Sequence, residues 1–225
     1  MSNTFLVDLK TTPKSVTAPV DIYLQGAEDF LIPLVFPDYE ITVFEKQKTT
    51  FLGIPIENEA IKASYIGHAG VLLVDGKTGR TKYYEYGRYE NPDIPGITRK
   101  VSMPDCKLIG GQISEKSLKK LLQFLSKKAG HGSSISGVVL RGNFYDNALA
   151  WLKQKVSENE SPTKLPYNFL DNNCMTFVLE LVNHLGLDSA WYPPAAPPNH
   201  YMELFQLTSV DLDYDPKLKK LEISE

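Results

Sequence analysis

The strongest constraint on this fold is a β-hairpin written into the chain between residues 69 and 86. Residues 69–74 are an apolar run, residues 75–80 (Asp75, Gly76, Lys77, Thr78, Gly79, Arg80) supply turn chemistry, and residues 81–86 return as a second β-rich run. Earlier runs at 22–24, 30–36 and 39–44 are aromatic and β-branched, and Pro33 and Pro37 predict sheet edges or breaks there. Residues 97–103 read as a further strand.

Beyond residue 110 the apolar period changes from two to that of a helix. Leu118, Leu121, Leu122 and Leu125 repeat at helical spacing, with Ser114 or Ser117 to cap the start and Gly130 past the end. A strand over 137–140 and a helical stripe of Phe144, Ala148, Trp151, Leu152 and Val156 follow, then a polar linker over 158–166. A third helix is predicted from Asn172 or Asn173 to Leu185, stopped by Gly186, with Cys174, Val178, Leu181 and Leu185 on one face. Residues 192–198 are too proline-rich to continue it and predict an ordered strap, and the charged stretch from Asp211 reads as an exposed, frayed tail. The order predicts an α+β fold in which an antiparallel sheet packs against helices. It reads as one domain: a strand-rich N-terminal layer over 1–60 that begins with an irregular lead-in, a core over 61–190, and a strap and tail over 191–225.

Composition narrows the function. At 225 residues and 42% hydrophobic, the chain can bury roughly 70% of its unfolded surface without a disulfide or metal staple. Its 24 Lys plus Arg against 27 Asp plus Glu give a net charge of −3 with no basic run, which argues against nucleic acid as a partner. Cys106 and Cys174 lack C-x-x-C spacing and read as free thiols. Residues 1–8 have no basic n-region, and no stretch approaches 18 apolar residues, so synthesis in the cytoplasm without a cleaved signal peptide or membrane span is expected. Phosphate-loop, dinucleotide and His-Glu-x-x-His patterns are missing, and the four histidines lack metal-ligand spacing, so no cofactor and no metal is expected.

Two residues carry chemistry. Cys174 opens an otherwise apolar helix, where unpaired N–H groups favour negative charge on sulfur. A free cysteine is more often a small buried apolar group, and that reading stands beside the reactive one. His68 lies at a strand start between Gly67 and Gly70, where small neighbours let a substrate or another backbone approach. A thiol nucleophile needs a base held in fixed geometry, so the pair is more informative than either member. His184 is ten positions past Cys174 on the same helix, about 15 Å along the axis and out of reach of the thiol. His131 and His200 read as surface residues and Cys106 as structural.

The G-H-A-G of residues 67–70, followed about a hundred residues later by Y-N-F-L-D-N-N-C-M-T-F over 167–177, resembles the circularly permuted branch of the NlpC-type, papain-like hydrolases. The resemblance implies Cys174 as nucleophile, His68 as general base and then acid, and a polar residue on the next strand to orient the imidazole. In an unbulged hairpin that residue is Glu85. A register shift of one would substitute Tyr84 or Tyr86, and Asp29 is a carboxylate that could come from long range. Tyr167 is the implied aromatic near the oxyanion, beside the backbone N–H groups of the helix start, and Asn173 is offered both as substrate contact and as N-cap.

A signal-less protein of this kind resembles the antibacterial peptidoglycan hydrolases delivered by type VI secretion. Peptidoglycan peptides as substrate, an immunity protein and a secretion-spike component as partners, and the periplasm of a target bacterium as destination are what that resemblance implies. Two other readings stay open. One is a lipid or thioester acyl hydrolase of the lecithin:retinol acyltransferase type, docking through a helix bearing Lys116, Lys119, Lys120, Lys127 and Lys128. The other is a non-catalytic binding module using its Tyr- and Pro-rich segments over 83–89 and 191–201.

Overall fold

The protein is described from a computed structural model covering residues 27–44, 48–51, 54–57, 61–63, 66–89, 96–168, 171–191 and 196–224. The expected lead-in, the strand over 22–24 and most of the proline strap lie outside these residues. Thirteen strands follow in chain order: β1 (Asp29–Phe36), β2 (Ile41–Phe44), β3 (Lys48–Phe51), β4 (Ile54–Glu57), β5 (Ile61–Ala63), β6 (His68–Val74), β7 (Thr81–Gly87), β8 (Ile97–Val101), β9 (Leu108–Ile109), β10 (Gln112–Ile113), β11 (Ile135–Gly142), β12 (Val210–Asp215) and β13 (Lys220–Ser224). The helices are α1 (Glu115–Lys128), α2 (Tyr145–Ser157), α3 (Cys174–His184) and α4 (Pro198–Gln206).

Seven strands form one sheet in the order β13-β12-β11-β1-β6-β7-β8, every neighbouring pair antiparallel. The α+β reading holds. Both faces are covered, which is why β1 and β6 are buried along their whole length and read as continuous apolar runs rather than alternating ones. Phe30, Ile32, Leu34, Phe36, Leu72 and Tyr83 meet the leucines of α1 on one face. Leu31, Val35, Val71, Leu73, Tyr84 and Tyr86 meet α2, α3 and α4 on the other.

Three expectations need correction. The strand-rich N-terminal layer is divided: β1 is the centre of the main sheet, between β11 and β6, whereas β2 to β5 pair among themselves outside it. Pro33 lies inside that central strand rather than at an edge. The ladder to β6 runs unbroken through Pro33↔Val71, whereas pairing to β11 skips from Leu31↔Leu140 to Leu34↔Gly137, so the missing N–H falls where the ladder is interrupted.

The tail expected to fray from Asp211 is in fact a hairpin, and a helix precedes it. Pro198 takes the first helical position of α4, which suits a residue with no N–H to offer. β12 and β13 then pair from Asp211↔Ser224 to Asp215↔Lys220, burying Leu212, Tyr214, Leu221 and Ile223 while the alternate charged residues face outward.

Candidate active site

The β6–β7 hairpin forms in the expected register, Gly70 opposite Glu85 and Val74 opposite Thr81, and no bulge intervenes. Side chains alternate with a period of two, so Glu85 shares a face with Gly70 and with His68 two residues before it. Tyr84 and Tyr86 point to the other face, into the core beneath α2 and α3. Glu85 Oε2 lies 3.2 Å from His68 Nε2 and accepts the Tyr83 hydroxyl at 2.8 Å, and Oε1 is ion-paired with Arg99 Nε from the adjoining β8. Glycine at position 70 is required for this: a Cβ there would stand 2.2 Å from the Tyr83 hydroxyl oxygen.

Cys174 is the first residue of α3, an apolar helix whose Phe177, Val178, Leu181 and Val182 bury it against β6 and β7. Its start is fixed by a capping box. Asn173 Oδ1 accepts from Met175 N at 2.9 Å and Thr176 N at 3.0 Å, and Thr176 Oγ1 accepts from Asn173 N at 2.8 Å. The Asn173 side-chain oxygen is therefore occupied by the helix it caps.

His68 pairs with Glu85 at 3.2 Å, and Cys174 is near enough to act on the imidazole electrostatically. His68 is the first residue of β6 and Cys174 the first of α3, so the helix layer and the strand meet at the end of the strand. Gly67 enters it at φ +78°, a conformation that favours glycine, and Asn199 of α4 seals the entry: its N bonds Ile66 O at 3.2 Å and its Nδ2 bonds Pro37 O at 3.1 Å.

The electrostatics are mutually consistent. Burial raises the pKa of the Glu85 carboxyl, but the hydrogen bond to His68 and the charges of His68 and Arg99 outweigh it, and the net shift is downward. Ionised, the carboxylate can only accept, so His68 Nε2 is the donor and Nδ1 is left to face the thiol. Burial opposes charge on the imidazole, yet the interactions with Cys174 and Glu85 push its pKa from 6.5 up to about 10. The Tyr167 hydroxyl bonds Cys174, and burial, followed by the charge of Cys174, raises its pKa, so it stays protonated. Arg88 holds Tyr167 in place, donating to its carbonyl at 2.8 Å.

The trio is closed over: Cys174 is 1% exposed, His68 5% and Glu85 0%. The Tyr39 ring lies over the imidazole at 5.0 Å between centroids and stacks on His131 at 4.6 Å, and the Tyr89 ring meets the imidazole edge-on at 6.1 Å. Tyr39 and Arg99 had no role in the sequence reading, and Tyr83 and Tyr89 entered it only as part of the 83–89 segment of the binding-module alternative. Of the first two, only Arg99 left a trace there, as the residue a third strand would set opposite Glu85.

Asp29 is not near the imidazole. Phe36 is the β1 residue paired with His68, and Asp29 stands at the other end of that strand, about 23 Å away at the usual rise. There it accepts from Phe144 N at 2.9 Å, Tyr145 N at 2.7 Å and Gly76 N at 3.2 Å, fixing the start of α2.

Cys106 is buried, its pKa pushed up to about 11 chiefly by that burial. His184 bonds Asn147 and His200 faces Glu203, both exposed. A groove of about 380 Å³ lined by Tyr86, Lys164, Asn172, Phe177 and Glu180 borders the start of α3 without including the thiol. Among the described residues no group of three or more His, Cys, Asp or Glu is arranged to hold a metal ion, and no helix is long and apolar enough to cross a membrane.

Comparison with known proteins gives two matches. The model of a family described as type VI secretion system effector TseH-like matches residues 31–186. The crystal structure of the type VI secretion system effector TseH is similar at 47% sequence identity and a TM-score of 0.74, covering 89% of this chain and 100% of that one. No curated protein matches.

Proposed function

Because the chain belongs to the TseH-like family of type VI secretion system effectors, we propose that it is a cysteine amidase or endopeptidase that cleaves peptide bonds of bacterial peptidoglycan in the cell it is delivered to. The observation that carries this reading is the convergence of a helix-start thiol, an imidazole and a buried carboxylate, with His68 3.2 Å from Glu85 and under the electrostatic influence of Cys174. A nucleophile, a base and a group that orients the base are the parts acyl transfer requires. The order of the motifs along the chain, histidine before cysteine, supports a circularly permuted papain-like core.

In this mechanism His68, whose raised pKa keeps the imidazole protonated near neutral pH, already holds at Nδ1 the proton that came from the Cys174 thiol, and the sulfur of Cys174 attacks the amide carbonyl carbon. The donors for the oxyanion are the Tyr167 hydroxyl and the Cys174 N–H, which turns to the oxyanion from the phenol oxygen it meets in the free protein, since Asn173 already occupies the next two N–H groups of the helix. Collapse breaks the C–N bond as Nδ1–H protonates the leaving amine, giving an acyl-enzyme. Water then gives a proton to Nδ1 and its oxygen to the acyl carbon, and the thiol is released. Throughout, Glu85 keeps the ring in one orientation and stabilises its positive form.

The test is delivery to the periplasm together with digestion of purified muropeptides followed by mass analysis. Wild-type protein lyses cells and shortens or releases stem peptides, and Cys174→Ala does neither. Equal toxicity of the two, or an unchanged digest with wild type, rejects the reading.

A further inference from the structure

The hydroxyl of Tyr89 is buried and finds no hydrogen-bond partner among the described residues. Buried orphans of this kind are rare in folded proteins, and each needs a reason. The ring is held firmly, with the Arg99 guanidinium 3.8 Å above its centroid and its plane at 89° to the His68 ring. The position of the hydroxyl follows from Gly87, the residue across the sheet from His68. A Cβ there would lie 3.3 Å from both the Tyr89 hydroxyl oxygen and His68 Cε1, so the hydroxyl and the imidazole lie against the same glycine. Burial and the charge of Glu85 raise the Tyr89 pKa well above the usual tyrosine range, which keeps the hydroxyl a donor. Phenylalanine would fill the same space without burying an unmet polar atom. The hydroxyl is suited to a partner that the described residues do not supply.

We propose that the Tyr89 hydroxyl donates a hydrogen bond to a peptide carbonyl oxygen of the bound substrate, on the leaving-group side of the scissile bond. The side follows from the geometry. The hydroxyl lies beside the imidazole, the ring that delivers a proton to the departing amine, so the group it meets belongs to that half of the substrate. The inference rests on the cysteine-hydrolase reading above and adds a substrate-contacting residue to it.

Tyr89→Phe in the full chain tests it, with peptidoglycan sacculi as substrate and Cys174→Ala as companion. Three quantities are read: the thermal midpoint, the rate at which iodoacetamide alkylates Cys174, and kcat/KM for release of soluble fragments. The expected result is an unchanged or higher midpoint, alkylation within about twofold of wild type, and kcat/KM down roughly 10- to 100-fold, the scale of one lost donor to a reacting group. A lower midpoint with unchanged kcat/KM means that the hydroxyl has a structural partner, such as bound water, and overturns the proposal. Unchanged kcat/KM in Tyr89→Phe while Cys174→Ala is inactive overturns the proposal and leaves the hydrolase reading standing. Full turnover in Cys174→Ala overturns both.

Discussion

Replacing Glu85 by glutamine removes one charge from a fully buried site and almost nothing from its shape. The carboxylate accepts from three groups: His68 Nε2 at 3.2 Å, the Tyr83 hydroxyl at 2.8 Å and Arg99 Nε. Glutamine keeps one acceptor oxygen and turns the other into a donor, which must face either the guanidinium or the imidazole and phenol, so a donor meets a donor in both orientations. Breaking a buried ion pair by removing one partner costs about 3–5 kcal/mol. The Arg99 side chain is 33% exposed and water recovers part of its charge, which places the loss near the lower end, at about 3 kcal/mol. In a chain of this size each kcal/mol moves the midpoint by about 2–4 °C, so a fall of roughly 6–12 °C is expected near neutral pH.

The loss also has a pH signature. The folded His68 pKa is raised from 6.5 to about 10: burial alone would lower it, and the interactions with Cys174 and Glu85 reverse the sign. A raised pKa contributes stability that is complete below the unfolded value and disappears as pH rises through the folded one. Glu85 supplies part of that contribution, so the gap between wild type and Glu85→Gln is widest near pH 6.5 and narrows as pH climbs through about 10. It closes on the acid side as well. The Glu85 pKa is lowered, burial being outweighed by His68 and Arg99, so its contribution is lost as pH falls below the ordinary carboxylate range. Calorimetric unfolding across this range measures the gap directly. A variant as stable as wild type, or a gap that does not narrow in alkali, refutes the pairing of Glu85 with a charged imidazole.

Other substitutions separate structural from chemical roles. Gly70→Ala puts a Cβ 2.2 Å from the Tyr83 hydroxyl and should pull it off Glu85, lowering both the midpoint and the rate of Cys174 alkylation. Asp29→Asn weakens the anchor of α2 at Phe144 and Tyr145 and should destabilise by about 1 kcal/mol with turnover retained; loss of turnover without loss of stability would tie Asp29 to the imidazole after all. Cys106, with its pKa near 11, is thiolate in only about one molecule in a thousand at pH 8, so mass spectrometry of the alkylated protein should find label at Cys174 first.

Much of the site was legible because the hairpin is regular. Once residues 69–86 form an unbulged hairpin, the period of two alone assigns Glu85 to the face of His68 and sends Tyr84 and Tyr86 to the opposite core. The helix start at Cys174 was legible too, since Asn173 followed by Met175 and Thr176 leads directly into an apolar stripe. What stayed hidden depends on chain segments that meet only in the folded state. Tyr39 and Tyr89 reach the imidazole from a turn after β1 and from beyond the end of β7, and no local pattern marks either. The terminal hairpin was misread for another reason. Val210–Asp215 alternates apolar and acidic residues, the signature of a half-buried strand, but the acidic residues dominate the composition and suggest a solvated tail. Pro33 was half legible: an edge or a break was expected, and the strand, central rather than edge, does lose its pairing to β11 there while the register on either side is kept.

The position of β1 has a consequence for synthesis. This eight-residue strand is made early, yet it pairs with β6 and with β11, which ends at Gly142. At about 5–20 residues per second, an apolar segment leaves the ribosome roughly 5–20 s before its second neighbour exists. A run such as Phe30–Phe36 is the kind that stacks with copies of itself while it waits, and Pro33, near its middle, is the residue least able to join such a stack. The proline at which the finished sheet loses pairing to β11 is thus also the residue that makes self-stacking of the waiting strand costly.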